Sequence, residues 1–330
     1  MSDAATREVV YSQAVRTALL EEMRRDPRVF VMGEDIGVYG GVFAATRGLL
    51  REFGEDRVRD TPISEAALVG LGIGAALLGM RPVVELMYAD FTAHAMDAIV
   101  NNAAKLHFMS GGQLQIPLTI RTPLGGGTGY AAQHSQCPEN WFTHIPGLKV
   151  VTAATPADAR GLLKAAIRDP NPVLFFEHKH IYTMRGPMPV EQEPIPLGVA
   201  EVKREGTDVT VVAWSMTLLD SLAAAARVAE EDGLQAEVID PRTLQPLDLE
   251  AILKSVGKTK RLVVAHEAVR FAGFGGEIAS LVTENLWGEL ARPVVRVGAK
   301  FAPIAFNERL EYYVIPTVDD IVAAIREAAA

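Results

Sequence analysis

The sequence predicts an α/β fold with two mostly parallel sheets in tandem, each covered by helices on both faces. Three observations predict it. Short apolar runs rich in Val, Ile and Phe alternate with helical runs along most of the chain. The 330 residues exceed what one hydrophobic core usually organises, so two domains are the default. A Pro- and Glu-rich segment at 186–197 reads as a linker. It divides residues 1–185 from residues 198–330.

The first half opens with an amphipathic helix from Tyr11 to Arg25, with Ser12 near its start. Val29 to Gly33 is a buried strand, Thr46 to Phe53 a short helix and Arg57 to Asp60 a strand. Pro62 biases Thr61 toward an extended conformation. Ser64 then reads as an N-cap and Glu65 as the first helical residue. The run from Ala66 to Gly79 is almost free of polar groups, so this helix is expected to be buried. Pro82 to Leu86 is a strand, and a long helix is expected from about Thr92 to Phe108. Strands follow at Leu118 to Arg121 and Lys149 to Thr152. Thr155, Pro156 and Asp158 open the next helix with a cap, a proline at the first position and an acid in the first turn. Val173 to Phe176 completes this half. In the second half, strands are expected at Asp208 to Ala213, Ala236 to Ile239, Arg261 to Ala265 and Val294 to Val297. Helices are expected at Leu218 to Asp232, Phe274 to Trp287 and Val318 to Ala329.

Composition narrows the function. The net charge is −9 and no basic stripe is visible, which argues against nucleic acid and anionic membrane as partners. No apolar run approaches the ~20 residues of a membrane span. Cys137 is the only cysteine, so no intrachain disulfide can form, and a cytoplasmic setting is expected. Met1 to Glu8 is polar and mixed in charge, without a signal-peptide pattern. The sequence has no Walker A motif, no Gly-x-Ser-x-Gly elbow and no Cys/His spacing for zinc. Gly70, Gly72 and Gly74 lie inside a helix without Rossmann spacing, so they read as close-packing positions. A nicotinamide oxidoreductase is disfavoured on the same ground. Gly125-Gly126-Gly127 follows a strand and suits a flexible loop beside a ligand.

Two residues stand out chemically. Glu65 puts a carboxylate at the lip of an apolar helix, as either a dipole-compensating cap or a functional acid with a raised pKa. His134 lies in a long irregular segment between strands, where loops are usually functional, although most lone loop histidines are structural or solvent-exposed and do no chemistry.

Several stretches together carry a resemblance. They are Met32-Gly33-Glu34-Asp35-Ile36-Gly37, Asp60 to Glu65, Ala131 to Gln136, Pro146 to Val151, Ala166 to Pro172 and Glu237 to Thr243. Nearly end to end, the chain resembles the beta subunit of the thiamine-diphosphate-dependent, decarboxylating component of 2-oxo acid dehydrogenase complexes. The pyruvate, branched-chain 2-oxo acid and acetoin dehydrogenases are the nearest types. The resemblance implies a transketolase-like pyrimidine-binding domain over 1–185 and a transketolase C-terminal domain over 198–330.

The resemblance also implies roles. Glu65 matches the catalytic glutamate, whose carboxyl bonds a pyrimidine nitrogen and favours the imino tautomer that takes the thiazolium proton. Phe91 matches the aromatic that stacks on the pyrimidine ring, and His94 lies beside the same cofactor pocket. His134 matches the histidine that assists acyl transfer to a lipoyl dithiolane. Leu118, Thr119, Ala166, Ile167, Asp169 and Asn171 match positions whose carbonyls hold a monovalent cation, K⁺. The chain contains no Gly-Asp-Gly segment, the family's diphosphate and Mg²⁺ motif. That part of the site is therefore expected from an alpha subunit in an α₂β₂ heterotetramer, which would serve a lipoyl acyltransferase core. Two positions depart from the family. Asp97-Ala98 stands where Asp-Gln is frequent, and His94 replaces a Gln or Pro. Both lie near the pocket and bear on the substrate. An acetoin dehydrogenase, a complex-free carboligating relative and a non-catalytic assembly subunit are the alternatives.

Overall fold

The computed structural model describes residues 5–330. The first half of the polar stretch Met1 to Glu8 lies outside the described residues. Two compact units emerge. One comprises the chain up to Leu124 together with Trp141–Leu197, and the other comprises Gly125–Asn140 with Gly198–Ala330.

In the first unit, strand β1 (Thr6–Val10) leads directly into helix α1 (Tyr11–Arg25), then β2 (Val29–Gly33), α2 (Leu49–Phe53), β3 (Val58–Asp60), α3 (Glu65–Leu77) and β4 (Arg81–Glu85). A 3₁₀ turn (Ala89–Ala95), a π-helical turn (Ala98–Ala103) and short α4 (Leu106–Met109) follow. Then come β5 (Thr119–Leu124), short α5 (Glu139–Thr143), whose first two residues belong to the second unit, β6 (Lys149–Ala153), α6 (Pro156–Arg168), β7 (Val173–His178) and β8 (Arg185–Pro189). Within the unit the central strands run β6-β7-β5-β4-β2-β3, all parallel. Their residues are buried almost throughout, as a sheet covered on both faces requires. The β2–β4 contact is close. A Cβ on Gly33 would lie 2.7 Å from the Glu85 carbonyl oxygen.

Several expectations are corrected. The helix expected from Thr92 to Phe108 is broken into 3₁₀, π and α turns. The helix expected from Thr46 forms only from Leu49, because Gly48 sits at φ 84. Helix α3 is not buried all round. Leu68, Val69, Gly72, Ile73 and Ala76 face the sheet, while Ala67, Gly70, Leu71, Gly74 and Leu77 are exposed. Only Gly72 is a close-packing glycine. A Cβ there would lie 3.0 Å from Leu118 Cδ1 and Val84 Cγ2, whereas Gly70 and Gly74 meet nothing within 4 Å. The segment expected as linker begins as strand β8, antiparallel to β1, and Arg160 binds the Pro189 and Val190 carbonyls.

The second unit contains β9 (Glu201–Arg204), β10 (Val209–Ala213), α7 (Ser215–Asp232), β11 (Ala236–Asp240), β12 (Thr243–Gln245) and α8 (Leu249–Thr259). It continues with β13 (Leu262–Val269), α9 (Phe274–Asn285), β14 (Val295–Ala299), α10 (Glu308–Val314) and α11 (Val318–Ala329). Its sheet runs β14-β13-β10-β11-β9, parallel except for the edge strand β9. Helix α7 ends at Gly233 in the left-handed region. Helix α11 opens with a capping box between Thr317 and Asp320. Together these parallel-rich layers form the α/β pair expected from the sequence.

Candidate active site

In open parallel sheets, ligands bind outside the carboxyl ends of the strands. Glu65, Phe91 and His94 all emerge there, from the connections that follow β3 and β4. Asp60, the last residue of β3, first fixes the neighbouring loop. Its carboxylate accepts the Gly37 amide at 2.6 Å and the Val38 amide at 3.2 Å. A side chain at Gly37 would collide with that carboxylate, its Cβ falling 2.8 Å from Asp60 Oδ2. The chain then turns at Pro62, and Glu65 begins α3 with its side chain buried. Ser64 occupies the N-cap position, but its hydroxyl makes no capping bond.

The 3₁₀ turn explains how the two pocket residues come together. Residues three apart eclipse in a 3₁₀ helix. Phe91 and His94 therefore share one side, with ring centroids 5.7 Å apart and planes at 31°. His94 Nδ1 lies 3.3 Å from Glu65 Oε2. Thus Glu65, Phe91 and His94, residues read from sequence in two separate elements, converge. Glu34, in the loop after β2, completes an acidic lining. Burial pushes its carboxyl above the usual range, and the charges of Glu65, Asp35 and Glu85 add to the effect.

Beneath this end of the sheet lies an ionic cluster inside the core. Arg121 on β5 donates to Glu85 of β4 at 2.5 Å and to both carboxylate oxygens of Glu177 of β7, at 3.0 and 2.7 Å. All three side chains are buried. The Tyr182 hydroxyl also donates to Glu177, and the Tyr182 ring stacks on Phe43 with centroids 4.2 Å apart. Burial pushes the Glu85 carboxyl up, and Arg121 opposes that shift. Burial also works against the Arg121 charge, yet Glu177 and Glu85 hold the guanidinium firmly protonated.

His134 belongs to the second unit, on the segment Gly125–Asn140. Its backbone amide bonds the Ala131 carbonyl at 3.3 Å, and Ala131 itself sits at φ 61. The Gly125 amide closes the base of the loop on the Gln136 carbonyl at 3.3 Å. At the loop's end, Glu139 Oε1 accepts Trp214 Nε1–H at 3.1 Å, and the Trp214 ring stacks on His266 at 5.2 Å. Burial drives Glu139 up to about 7, against its own backbone amide and Trp214, and Glu267 adds to the rise. Burial drives the His266 imidazole down to about 4.

Residues 7–184 match the transketolase pyrimidine-binding domain model and residues 198–321 the transketolase C-terminal domain model. The chain is 44% identical to the 2-oxoisovalerate dehydrogenase subunit beta of Bacillus subtilis, covering 97% of this chain and 98% of the relative. It belongs to the family of 2-oxo acid dehydrogenase E1 beta subunits. Other members include the pyruvate dehydrogenase E1 component subunit beta of Rickettsia felis, 44% identical over 97% of this chain and 98% of that one. The mitochondrial pyruvate dehydrogenase E1 component subunit beta-1 of Oryza sativa is 44% identical over 98% of this chain and 88% of its own. Among solved structures, a split-gene transketolase described as an inactive beta4 tetramer superposes with a TM-score of 0.77. It is 25% identical, covering 97% of this chain and 98% of that one.

In this E1-beta-type chain the six carbonyl positions fall around the C-terminus of α6 and the start of β5. The Leu118 carbonyl accepts the Val173 amide at 2.9 Å and the Ala166 carbonyl accepts the Asp169 amide at 3.2 Å. The Ile167 and Asp169 carbonyls both accept the Arg81 guanidinium, at 2.9 and 3.3 Å. The Asp169 carboxylate accepts the Asn171 amide at 2.9 Å and pairs with Lys149. Glu34 and the Arg121 cluster were not reached from sequence. The available signal was a lone charge inside each apolar strand at Glu85, Arg121 and Glu177.

Proposed function

We propose that this chain is the cytoplasmic beta subunit of a thiamine-diphosphate-dependent 2-oxo acid dehydrogenase, catalysing oxidative decarboxylation with acyl transfer to a lipoyl domain. Glu65 carries the reading. Its buried carboxyl faces the His94 ring and shares the carboxyl end of the sheet with Phe91, in a chain that matches E1 beta relatives along their length. Those relatives are named for pyruvate and for 2-oxoisovalerate at the same 44% identity, so the substrate is a 2-oxo acid of one of these two kinds.

The residues fit the pyrimidine half of the cofactor. When bound, thiamine diphosphate supplies an electron sink for the loss of carbon dioxide. Glu65, buried at the start of α3, would bond a pyrimidine ring nitrogen. Phe91 offers an aromatic face to that ring. His94 bonds the free oxygen of Glu65 and orients it. His134 delivers a proton to the departing sulfur when a lipoyl disulfide opens.

The chain lacks the Gly-Asp-Gly segment that the resemblance links to the diphosphate and Mg²⁺. Mg²⁺ is accordingly assigned to an alpha subunit in an α₂β₂ heterotetramer, which docks on a lipoyl acyltransferase core. The exposed apolar face of α3, with Ala67, Gly70, Leu71 and Gly74, suits a neighbouring subunit. K⁺ on the carbonyls of Leu118, Thr119, Ala166, Ile167, Asp169 and Asn171 completes the proposal; a KCl-dependent rise in Tm, absent with choline chloride, tests it.

The decisive experiment assays the chain reconstituted with its alpha partner, once with a dye as electron acceptor and once with a lipoyl domain. His134→Ala is expected to lose about 10²–10⁴-fold in acyl transfer, the scale of general acid assistance, and far less in dye-coupled decarboxylation. A parallel loss in both assays would refute the role of His134. Failure of the wild type to decarboxylate either 2-oxo acid would refute the function.

A further inference from the structure

The segment that carries His134 is rich in glycine and in unusual backbone angles. Gly125, Gly127 and Gly129 have φ of 95°, 79° and 72°, and Ala131 follows at 61°. Such a run aims successive amide N–H groups toward one side and forms a concavity that binds anions. Here the anion is provided by the chain itself. Glu311 of α10, 1% exposed, receives the Gly127 amide on Oε1 at 2.8 Å and the Gly129 amide on Oε2 at 3.1 Å. Glu267, at the end of β13, receives the Gly126 amide at 2.5 Å and lies 3.6 Å from Cys137 Sγ. All these groups belong to the second unit.

We infer that Glu311, seconded by Glu267, is a positioning residue that holds the Gly125–Asn140 segment and thereby sets His134 for acyl transfer. This rests on the role proposed above for His134. The sequence makes Gly125–Gly127 look flexible, and these glycines have no side chains with which to fix themselves. Three charge-assisted amide bonds hold the segment instead. The two oxygens of one buried carboxylate span two amides, so Glu311 fixes both position and direction. A misplacement of about 1 Å at a reacting group costs on the order of 10²-fold in rate, which is the scale at stake. The Tyr312 hydroxyl, 3.5 Å from the Gly127 carbonyl, lies on the same helix and follows it.

The test uses the reconstituted alpha–beta enzyme with Glu311→Ala, Glu311→Gln, His134→Ala and the double variant E311A/H134A. Hydrogen exchange of the Gly126–Gly129 amides should accelerate in E311A. Acyl transfer to a lipoyl domain should fall by about 10- to 100-fold, while dye-coupled decarboxylation stays within about 3-fold. E311Q should fall between E311A and wild type, because its amide oxygen still accepts one N–H while its amino group opposes the other. The double variant should transfer acyl groups no more slowly than H134A, since Glu311 acts through His134. Equal loss of both half-reactions in E311A and E311Q would overturn the inference, as would unchanged amide exchange or multiplicative losses in the double variant. If H134A lowers both half-reactions equally while E311A still releases the loop amides, the role given to His134 fails and the anchoring of the loop by Glu311 stands.

Discussion

Glu139 and His266 flank Trp214 within one buried cluster, and their protonation states oppose each other. Glu139 titrates at about 7 in the folded chain against 4.5 for an ordinary glutamate, and the shift comes mainly from burial. Its folded pKa is raised. The associated stability is therefore present in full below pH 4.5 and is lost as pH rises to about 7, in all about 3 kcal/mol at 1.36 kcal/mol per unit. His266 titrates at about 4 against 6.5, because burial disfavours its charged form. Its folded pKa is lowered. Its contribution is complete above pH 6.5 and is lost as pH falls toward 4, again about 3 kcal/mol. Between pH 4.5 and 6.5 the two slopes cancel. Glu139→Gln removes one of them and keeps an oxygen that can accept the Trp214 N–H. Urea unfolding at half-unit steps from pH 4 to 8 is the assay. The variant should match wild type near pH 4.5 and exceed it by about 3 kcal/mol at pH 8. Its own stability should rise with pH from 4 to 6.5, where wild type stays level. A difference that does not vary with pH, or a variant weaker than wild type at pH 8, would show that Glu139 does not titrate as a buried acid.

Three further outcomes are expected. Glu65→Gln should abolish turnover with a dye acceptor while circular dichroism and assembly remain unchanged, because the amide keeps the shape and loses the shared proton. Arg121→Ala should destabilise the chain by about 3–5 kcal/mol, since it strands two buried carboxylates. The triple change R121M/E85Q/E177Q should recover much of that loss, both being measured by urea unfolding at pH 7. Gly72→Leu should cost about 1–3 kcal/mol by overpacking against Leu118 and Val84, whereas Gly74→Ala, with open space around it, should stabilise the isolated chain by about 0.5–1 kcal/mol.

Local signals carried most of the fold into the sequence. Thr155, Pro156 and Asp158 mark the start of α6, where Thr155 Oγ1 accepts the Asp158 amide at 3.1 Å. Glu65 was legible as a helix start because Pro62 and Ser64 precede it. Non-local choices were not legible. The 3₁₀ and π turns between Ala89 and Ala103 lie against α3, a tertiary contact that no propensity of that alanine-rich run records. Arg121 finds partners 36 and 56 residues away, a pairing invisible until the strand order is known. Helix α3 misled by being apolar on every side. One face serves the sheet, and the other is left uncovered by the described residues. The glycines at 125–127 were legible as a loop, but the carboxylates that hold them come from β13 and α10.

We propose that this chain supplies the Glu65 half of a cofactor site completed by an alpha subunit. Titration of thiamine diphosphate with Mg²⁺ in a calorimeter, into the chain alone and into the chain mixed with its alpha partner, tests it most directly. Affinity at least about 100-fold tighter in the mixture, or ~2.8 kcal/mol, is expected, with loss of turnover in that mixture on Glu65→Gln. Tight, Mg²⁺-dependent binding by the chain alone, undiminished by removal of the partner, would contradict it.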